Sequence, residues 1–199
     1  MKLLYSPLSP FARKVILAAR ELGLDLPLEQ VMVTPVAPDD QVSAANPLGK
    51  IPVLVLDDGT SLFDSRVIVD YFDGLTDRSL APRQGLARAR VLTELAAADG
   101  LTDAALLLRY EGALRPEALR WDDWVSGQMG KIHRALDLFE ASERRAGDDL
   151  TIVDIALACA LGYLDFRLPQ EDWRATHPRL AAFHARISQR PGWAETAPA

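Results

Sequence analysis

The 199-residue chain can bury one large core or two small ones, and its composition, 49% hydrophobic and 25% charged, is that of an ordinary globular protein. Its formal net charge of −6 opposes attraction to phosphate backbones and anionic lipid, so we expect neither nucleic acid nor membrane among its partners. A single cysteine, Cys159, allows no internal disulfide, and the apolar runs are too short for a secretory signal or a membrane span. The cytoplasm is therefore the expected location.

The first third of the chain alternates strand and helix signals. A short apolar run is stopped by Ser6-Pro7, and apolar positions then recur at helical spacing behind Ser9 and Pro10, residue types favoured at helix starts. Residues 34–46 are predicted as a loop with at most a short helix. The Asp57-Asp58-Gly59 turn indicates an antiparallel hairpin. The predicted strands are 2–5, 28–33, 52–56 and 61–63, and the predicted helices are 10–22 and one that Asp64-Ser65 opens.

Strand signals disappear after an irregular stretch, 75–84, which has the composition of a linker. The segments that follow are amphipathic, apart from 151–161, which is apolar nearly throughout and is typical of a central buried helix. Cys159 is expected to be buried there. The predicted helices are 85–110, 117–145, 151–161 and 179–188. We therefore expect a small α/β domain over residues 1–77 and an all-helical domain over residues 85–199.

The segment Ser9-Pro10-Phe11-Ala12 follows a predicted strand and opens a helix. Glutaredoxins place their Cys-Pro-Tyr-Cys redox pair in this context, but Ser9 and Ala12 occupy the cysteine positions here, which excludes thiol–disulfide exchange at this motif. The helix N-terminus still favours an anion, and the Ser9 hydroxyl can donate a hydrogen bond to a bound thiolate. The alternative is that Ser9 only caps the helix, the commonest use of serine at this position.

Two further segments carry groups suited to a peptide ligand. The segment Asn46-Pro47-Leu48-Gly49-Lys50-Ile51-Pro52-Val53 leads into a strand, and a cis Ile51–Pro52 bond would turn the Ile51 backbone toward the Ser9 helix, where its N–H and C=O could pair with a peptide. Ser65 is suited to a ligand carboxylate and Asp64 to an ammonium group. The alternatives are a proline that merely begins a strand and plain helix capping.

In order and separation, these three elements resemble the cytosolic glutathione S-transferase family, in the bacterial form with a serine-type N-terminal motif. The resemblance extends to the C-terminal half, because Leu150-Thr151-Ile152-Val153-Asp154-Ile155-Ala156 is similar to the family's capping-box segment. Thr151 and Asp154 can cap the helix reciprocally, and Leu150 and Ile155 can form a hydrophobic staple, which concerns folding and not catalysis. The resemblance implies a thioredoxin-like glutathione-binding domain and an all-α helical-bundle domain that contributes the second-substrate pocket and dimer contacts.

The resemblance also implies roles for individual residues. Ser9 is expected to be catalytic by facing the glutathione sulfur, with Tyr5 and Ser6 as alternatives, of which Tyr5 is expected to pack in the core. The residues expected to bind the remainder of glutathione are Lys50, Ile51, Pro52, Asp64 and Ser65. The second substrate is expected between Ser9 and the helical domain, near Leu8, Phe11, Tyr110 and Trp121, unless these side chains are ordinary core. Asp99 is expected to extend toward the partner's site in a homodimer.

The function implied by the resemblance is that of an enzyme with glutathione as co-substrate. It would bind glutathione as a thiolate and transfer it to a small electrophilic, hydrophobic substrate, in a detoxification role. The alternative is a non-catalytic module for binding or protein interaction, because fold does not fix function. No metal is expected, since His133, His177 and His184 lack a metal-site spacing and no cysteine joins them.

Overall fold

Four short strands form one sheet in the first part of the chain. The computed structural model describes residues 1–37, 39–142 and 149–198. The strands are β1 (Lys2–Tyr5), β2 (Leu28–Gln30), β3 (Val53–Val55) and β4 (Ser61–Leu62), and the helices among them are α1 (Pro10–Glu21), α2 (Asp40–Ala45) and α3 (Ser65–Gly74). The sheet order is β2-β1-β3-β4, with β1 parallel to β2 and the other two pairs antiparallel. This arrangement confirms the thioredoxin-like fold predicted for the N-terminal part.

The register of the sheet brings three strand ends together. Leu4 pairs with Val53 and Leu54 pairs with Leu62. Because both pairings are antiparallel, the carboxyl end of β1, the amino end of β3 and the carboxyl end of β4 lie at the same end of the sheet. Ser9 follows β1, Ile51 precedes β3 and Ser65 follows β4. The topology therefore places the three sequence elements side by side.

Both faces of the sheet are covered. Leu3 and Leu4 point to opposite faces, and both are fully buried. On one face, Leu4 packs with Val42 of α2 and with Val53. Helix α3 packs against α1 and β3. Each buried Val or Leu side chain contributes about 1.5–3 kcal/mol relative to an exposed one, so this core fixes the strand ends that carry the site.

The remaining helices form an all-helical unit. They are α4 (Gly85–Leu114), α5 (Asp122–Ala141), α6 (Ile152–Arg167), α7 (Trp173–Thr176) and α8 (Pro178–Ile187), with a 3₁₀ turn at Glu117–Leu119. Helix α4 packs against α5 and α6. Helix α6 is buried along most of its length, as its apolar sequence predicts, and Cys159 within it is buried. Of the helices that the structure describes, none is long and apolar enough to cross a membrane.

The chain divides into two units whose bounds differ from the predicted domains. One unit is Met1–Arg83 together with a C-terminal segment that begins at Pro191, and the other is Gln84–Arg190. The sequence assigns this C-terminal segment (residues 191–198) to the helical domain. It belongs instead with the sheet unit, because Trp193 is 2% exposed and its carbonyl accepts a hydrogen bond from Arg13 Nη2 of α1 at 2.9 Å.

Several element bounds also depart from the sequence predictions. Strand β2 ends at Gln30, because its partner β1 pairs with it only through Leu3–Tyr5. The helix predicted over 117–145 begins at Asp122, because a carboxylate oxygen of Glu111 accepts the Trp121 N–H at 3.0 Å and this residue stays extended. Residues 143–145 of that prediction lie outside the described ranges. Helix α6 continues to Arg167, and the short α7 is not predicted by the sequence.

Candidate functional site

Ser9 is the N-cap of α1, and among the described residues its hydroxyl accepts a hydrogen bond but donates none. The Ser9 Oγ accepts a hydrogen bond from the Ala12 N–H at 3.2 Å, and Pro10 occupies the first helical position. Within the described ranges, the Ala12 N–H is the one partner of this hydroxyl. A hydroxyl group has one donor and two acceptor positions. The Ser9 proton therefore remains for donation to a ligand at the positive end of α1.

Asn46 holds the loop that leads into β3. Its buried side chain accepts from the Leu48 N–H at 3.0 Å and donates to the Lys50 carbonyl at 2.8 Å. Its own carbonyl accepts from the Gly49 N–H at 2.8 Å, and Gly49 has a φ of 60°, which glycine adopts without steric cost. These bonds fix the path of the chain before Ile51. The sequence did not predict this role, although an Asn-Pro-x-Gly turn is a signal for it.

The backbone of Ile51 is positioned to pair with an extended ligand. The Ile51–Pro52 peptide bond is cis. Neither the N–H nor the C=O of Ile51 pairs with another group in the part of the chain that the structure describes. Free backbone groups beside a strand are what an added peptide strand requires. Lys50, next to it, is exposed, and its ammonium group has no carboxylate partner among the described residues.

The start of α3 presents a carboxylate and a hydroxyl. Asp64 is the N-cap, and its Oδ1 accepts from the Arg66 N–H at 2.9 Å. The Phe63–Asp64 peptide bond before it is also cis. Ser65 is 3% exposed, and no described residue forms a hydrogen bond with its hydroxyl. The Ser65 hydroxyl and the N–H groups of this first turn other than that of Arg66 therefore remain for an anionic group.

The alternatives to Ser9 lie in different surroundings. The Ser6 Oγ accepts from the Leu8 N–H at 3.3 Å. Tyr5, which was expected to pack in the core, ends β1 opposite Gln30 and is half-buried. Neither residue is the N-cap of a helix, the position that gives Ser9 its electrostatic surroundings.

The residues expected near the second substrate lie in both units and are not fully buried. In the sheet unit, Leu8 is exposed and Phe11 is half-buried. In the helical unit, Tyr110 is half-buried on α4, and Trp121 is 62% exposed at the start of α5. Asp99 is buried within α4 of its own chain. The roles expected for these residues, including that of Asp99 toward a partner subunit, stay predictions.

Family comparisons agree with the fold. Residues 3–79 match the glutathione S-transferase N-terminal domain, and residues 122–186 match the glutathione S-transferase C-terminal domain. The chain is 36% identical over 202 residues to the uncharacterized GST-like protein YibF of Escherichia coli K12, and the match covers 100% of this chain and 98% of YibF. The chain therefore belongs to the glutathione S-transferase family.

Solved structures of relatives share the whole fold. A glutathione transferase family member from Pseudomonas fluorescens Pf-5 with bound glutathione is 48% identical, with a TM-score of 0.95, over 100% of this chain and 98% of that one. A structure from the same organism with bound S-(propanoic acid)-glutathione is 46% identical, with a TM-score of 0.88, over 100% and 99%. A glutathione S-transferase from Methylobacillus flagellatus with glutathione bound is 40% identical, with a TM-score of 0.89, over 100% and 99%.

Proposed function

We propose that this protein is a glutathione S-transferase that binds glutathione as its thiolate and transfers it to a small electrophilic, hydrophobic substrate. The observation that carries the proposal is the Ser9 hydroxyl, whose oxygen caps α1 while its proton remains for a ligand. Glutathione bound in the structures of relatives supports glutathione as that ligand. S-(propanoic acid)-glutathione bound in a further structure supports the sulfur as the reacting atom.

The proposal assigns each part of glutathione to a group at the end of the sheet. The Ile51 N–H and C=O, directed by the bond to Pro52, pair with the cysteinyl unit, and the Lys50 ammonium lies near the glycyl carboxylate. The Ser65 hydroxyl binds the γ-glutamyl carboxylate, because the N–H groups of the first turn of α3 add positive potential there. The Asp64 carboxylate, which also caps α3, attracts the γ-glutamyl ammonium group.

The thiolate is stabilised by two effects, the positive end of α1 and a hydrogen bond from the Ser9 hydroxyl. A thiol with a pKa of about 8.5 is only a few per cent ionised at pH 7, and lowering that pKa by two units requires about 2.7 kcal/mol. The N-terminus of a helix contributes about 0.3–1 kcal/mol, or about 2 kcal/mol in a sheltered site. A hydrogen bond from a hydroxyl to a charged group contributes about 1.5–3 kcal/mol. Together they meet the requirement, with Ser9 supplying the larger share.

The transfer step follows from the ionised sulfur. The thiol proton passes to solvent, the sulfur electron pair forms the new C–S bond, and the leaving group departs with the electrons of the bond that breaks. We place this reaction in the cytoplasm, in a homodimer, with Leu8 and Phe11 as apolar side chains for the electrophile. Tyr110 and Trp121 are the candidates from the helical unit, and Asp99 is the candidate for reaching a partner subunit.

The test compares Ser9→Ala with Ser43→Ala, a control on the exposed face of α2. Calorimetry measures glutathione affinity, and the ultraviolet absorbance of the thiolate, followed against pH, gives the pKa of the bound thiol. Ser9→Ala should raise this pKa by about one to two units, the equivalent of a lost hydrogen bond to a charged group, and Ser43→Ala should leave it unchanged. No binding at millimolar glutathione would refute the proposal. Binding without turnover of any electrophile would identify a non-catalytic module instead.

A further inference from the structure

Two arginines and two tyrosines lie on helices α4 and α6, which pack together. Arg109 and Tyr110 lie on α4, and Tyr163 and Arg167 lie on α6. These four residues are termed the Arg-Tyr cluster. The guanidinium carbon of Arg167 lies 6.0 Å from the ring centroid of Tyr163 and 4.0 Å from that of Phe166. The cluster therefore combines cationic groups, phenols and apolar ring surface.

The two arginines of this cluster are not paired with a carboxylate in the part of the chain that the structure describes. Other arginines of the same unit are paired, because Arg115 lies 2.8 Å from Glu111 and Arg174 lies 2.5 Å from Asp165. The chain as a whole has a net charge of −6. Two uncompensated guanidinium groups in one cluster of an acidic chain create a local positive potential that favours an anion.

Arg167 is partly withdrawn from water. Its Nε atom is buried and has no hydrogen-bond partner in the described ranges. Arg167 is the last residue of α6, and the negative end of the helix stabilises a cation at that position. The helix end accounts for the position of Arg167, but it provides no acceptor for the buried Nε–H. A buried donor of this kind is unfavourable unless an acceptor reaches it.

The two phenols add neutral donors to the cluster. Burial raises the pKa of Tyr163 and that of Tyr110, while the charge of Arg167 opposes both increases. Both phenols therefore remain protonated at neutral pH, and the Arg167 guanidinium lies close enough to influence each of them. Neither hydroxyl donates to an acceptor among the residues that the structure describes.

We propose that the Arg-Tyr cluster binds the carboxylate of an aromatic second substrate. A guanidinium fork matches the two oxygens of a carboxylate, and the phenols can donate to their remaining lone pairs. The half-buried rings of Phe166 and Tyr110 provide apolar surface for the aromatic body of such a ligand. The inference rests on the proposed function only in identifying the ligand as the second substrate, and it narrows that substrate to electrophilic aromatic acids.

The first experiment measures binding without glutathione, so that no reaction occurs. Calorimetry compares 4-chloro-3-nitrobenzoate with 4-chloro-3-nitrobenzamide, which has the same size but no charge. The wild-type protein should bind the benzoate at least tenfold more tightly, and Arg167→Met should abolish this preference. Arg134→Met, which removes the same charge from an exposed position of α5, should retain it. Equal affinity of the wild-type protein for the two compounds overturns the inference, whichever variants fold.

Two further variants and two competitors sharpen this experiment. Tyr163→Phe removes one donor and should weaken benzoate binding several-fold, and Arg167→Lys keeps the charge but loses the fork, so it should bind more weakly than the wild type. Glutathione and inorganic phosphate should not displace the benzoate. Displacement by either one at equal concentration overturns the assignment to a separate aromatic acid.

The second experiment adds glutathione and separates the inference from the proposed function. The thiolate attacks the ring carbon that bears chlorine, a C–S bond forms, and chloride leaves with the electrons of the C–Cl bond. Arg167→Met should lower kcat/KM for the benzoate at least tenfold and change kcat/KM for the benzamide less than twofold. Tight benzoate binding without turnover of either compound supports the carboxylate site and refutes the transferase. Equal binding and equal turnover of both compounds refute the carboxylate site and support the transferase.

Discussion

Helices α1 and α6 both begin with a hydroxyl residue as N-cap, and the two hydroxyls are used differently. At α6, the Thr151 Oγ1 accepts from the Asp154 N–H at 3.3 Å and donates to the Asp154 Oδ2 at 2.6 Å, and the same carboxylate oxygen accepts the Thr151 N–H at 2.9 Å. At α1, the Ser9 Oγ accepts from the Ala12 N–H, and the residue three positions after the cap has no side-chain acceptor. The hydroxyl proton of the α6 cap is thus donated to Asp154, whereas that of the α1 cap is not donated to any described residue.

The two helices also differ in what supports their first turns. The start of α6 is secured by its own residues, as the capping box shows. The start of α1 is supported by a distant part of the chain, because Arg13, one turn after Ser9, donates to the Trp193 carbonyl and to the Thr196 Oγ1 at 3.2 Å. The Arg13 guanidinium also lies 5.3 Å from the Trp193 ring centroid. A helix whose cap stays open for a ligand thus takes stability from tertiary contacts, the usual source of helix stability.

The largest effect is expected from removing this distant support. Trp193→Ala should lower the free energy of unfolding by about 3–5 kcal/mol, the usual cost of truncating a buried aromatic residue. Urea titration measures the loss. Trp193→Phe is the matched control, because it keeps an aromatic ring and removes the indole N–H, which is buried without a partner in the described ranges. It should cost much less than the alanine variant. An alanine variant as stable as the wild type would show that the C-terminal segment does not support α1.

A smaller effect is expected at Thr151, the N-cap of α6. Thr151→Ala should lower the free energy of unfolding by about 0.5–2 kcal/mol, the usual cost of losing an N-cap side chain. The pKa of a bound glutathione thiol should not change, because the Thr151 hydroxyl is committed to Asp154. Thr93→Ala is the control, since this exposed hydroxyl only bonds back to the Ala89 carbonyl within α4 and contributes little to stability. A raised thiol pKa in Thr151→Ala would contradict the assignment of Thr151 to folding stability and of Ser9 to the stabilisation of the thiolate.

The parts of the site that the sequence predicted are those determined by neighbouring residues. A helix cap, a turn and a strand depend on a few consecutive positions, so the capping role of Ser9, the Thr151–Asp154 capping box and the start of α3 could all be predicted and are confirmed. The order of strands and helices along the N-terminal part followed from the same signals, and the family resemblance implied the thioredoxin-like fold that they form. The role of Ser9 toward a ligand sulfur is a different matter, because it depends on a partner outside the chain, and it stays a prediction.

The parts that the sequence missed depend on residues far apart in the chain. Arg13 and Trp193 are separated by 180 positions, and nothing in the pattern of α1 distinguishes this arginine from an ordinary surface residue. The carboxylate of Glu111 displaces the start of α5 through a bond to the Trp121 N–H, which local propensity does not indicate. The Arg-Tyr cluster forms only where α4 packs on α6. Tertiary packing, not propensity, decides all three.

The smallest effect is expected from exchanging the two hydroxyl residues. Ser9→Thr and Thr151→Ser keep an oxygen and a proton at each cap, so each should change the free energy of unfolding by less than about 0.5 kcal/mol. Threonine fits at position 9, because the φ of −90° and ψ of 116° of Ser9 lie in the extended region that β-branched residues favour. The pKa of the bound thiol in Ser9→Thr should therefore stay close to that of the wild type, as titration of the thiolate absorbance would measure. If Ser9→Thr instead raised this pKa as far as Ser9→Ala, the hydroxyl proton would not be the stabilising group. The positive end of α1 would then have to account for the ionised sulfur alone.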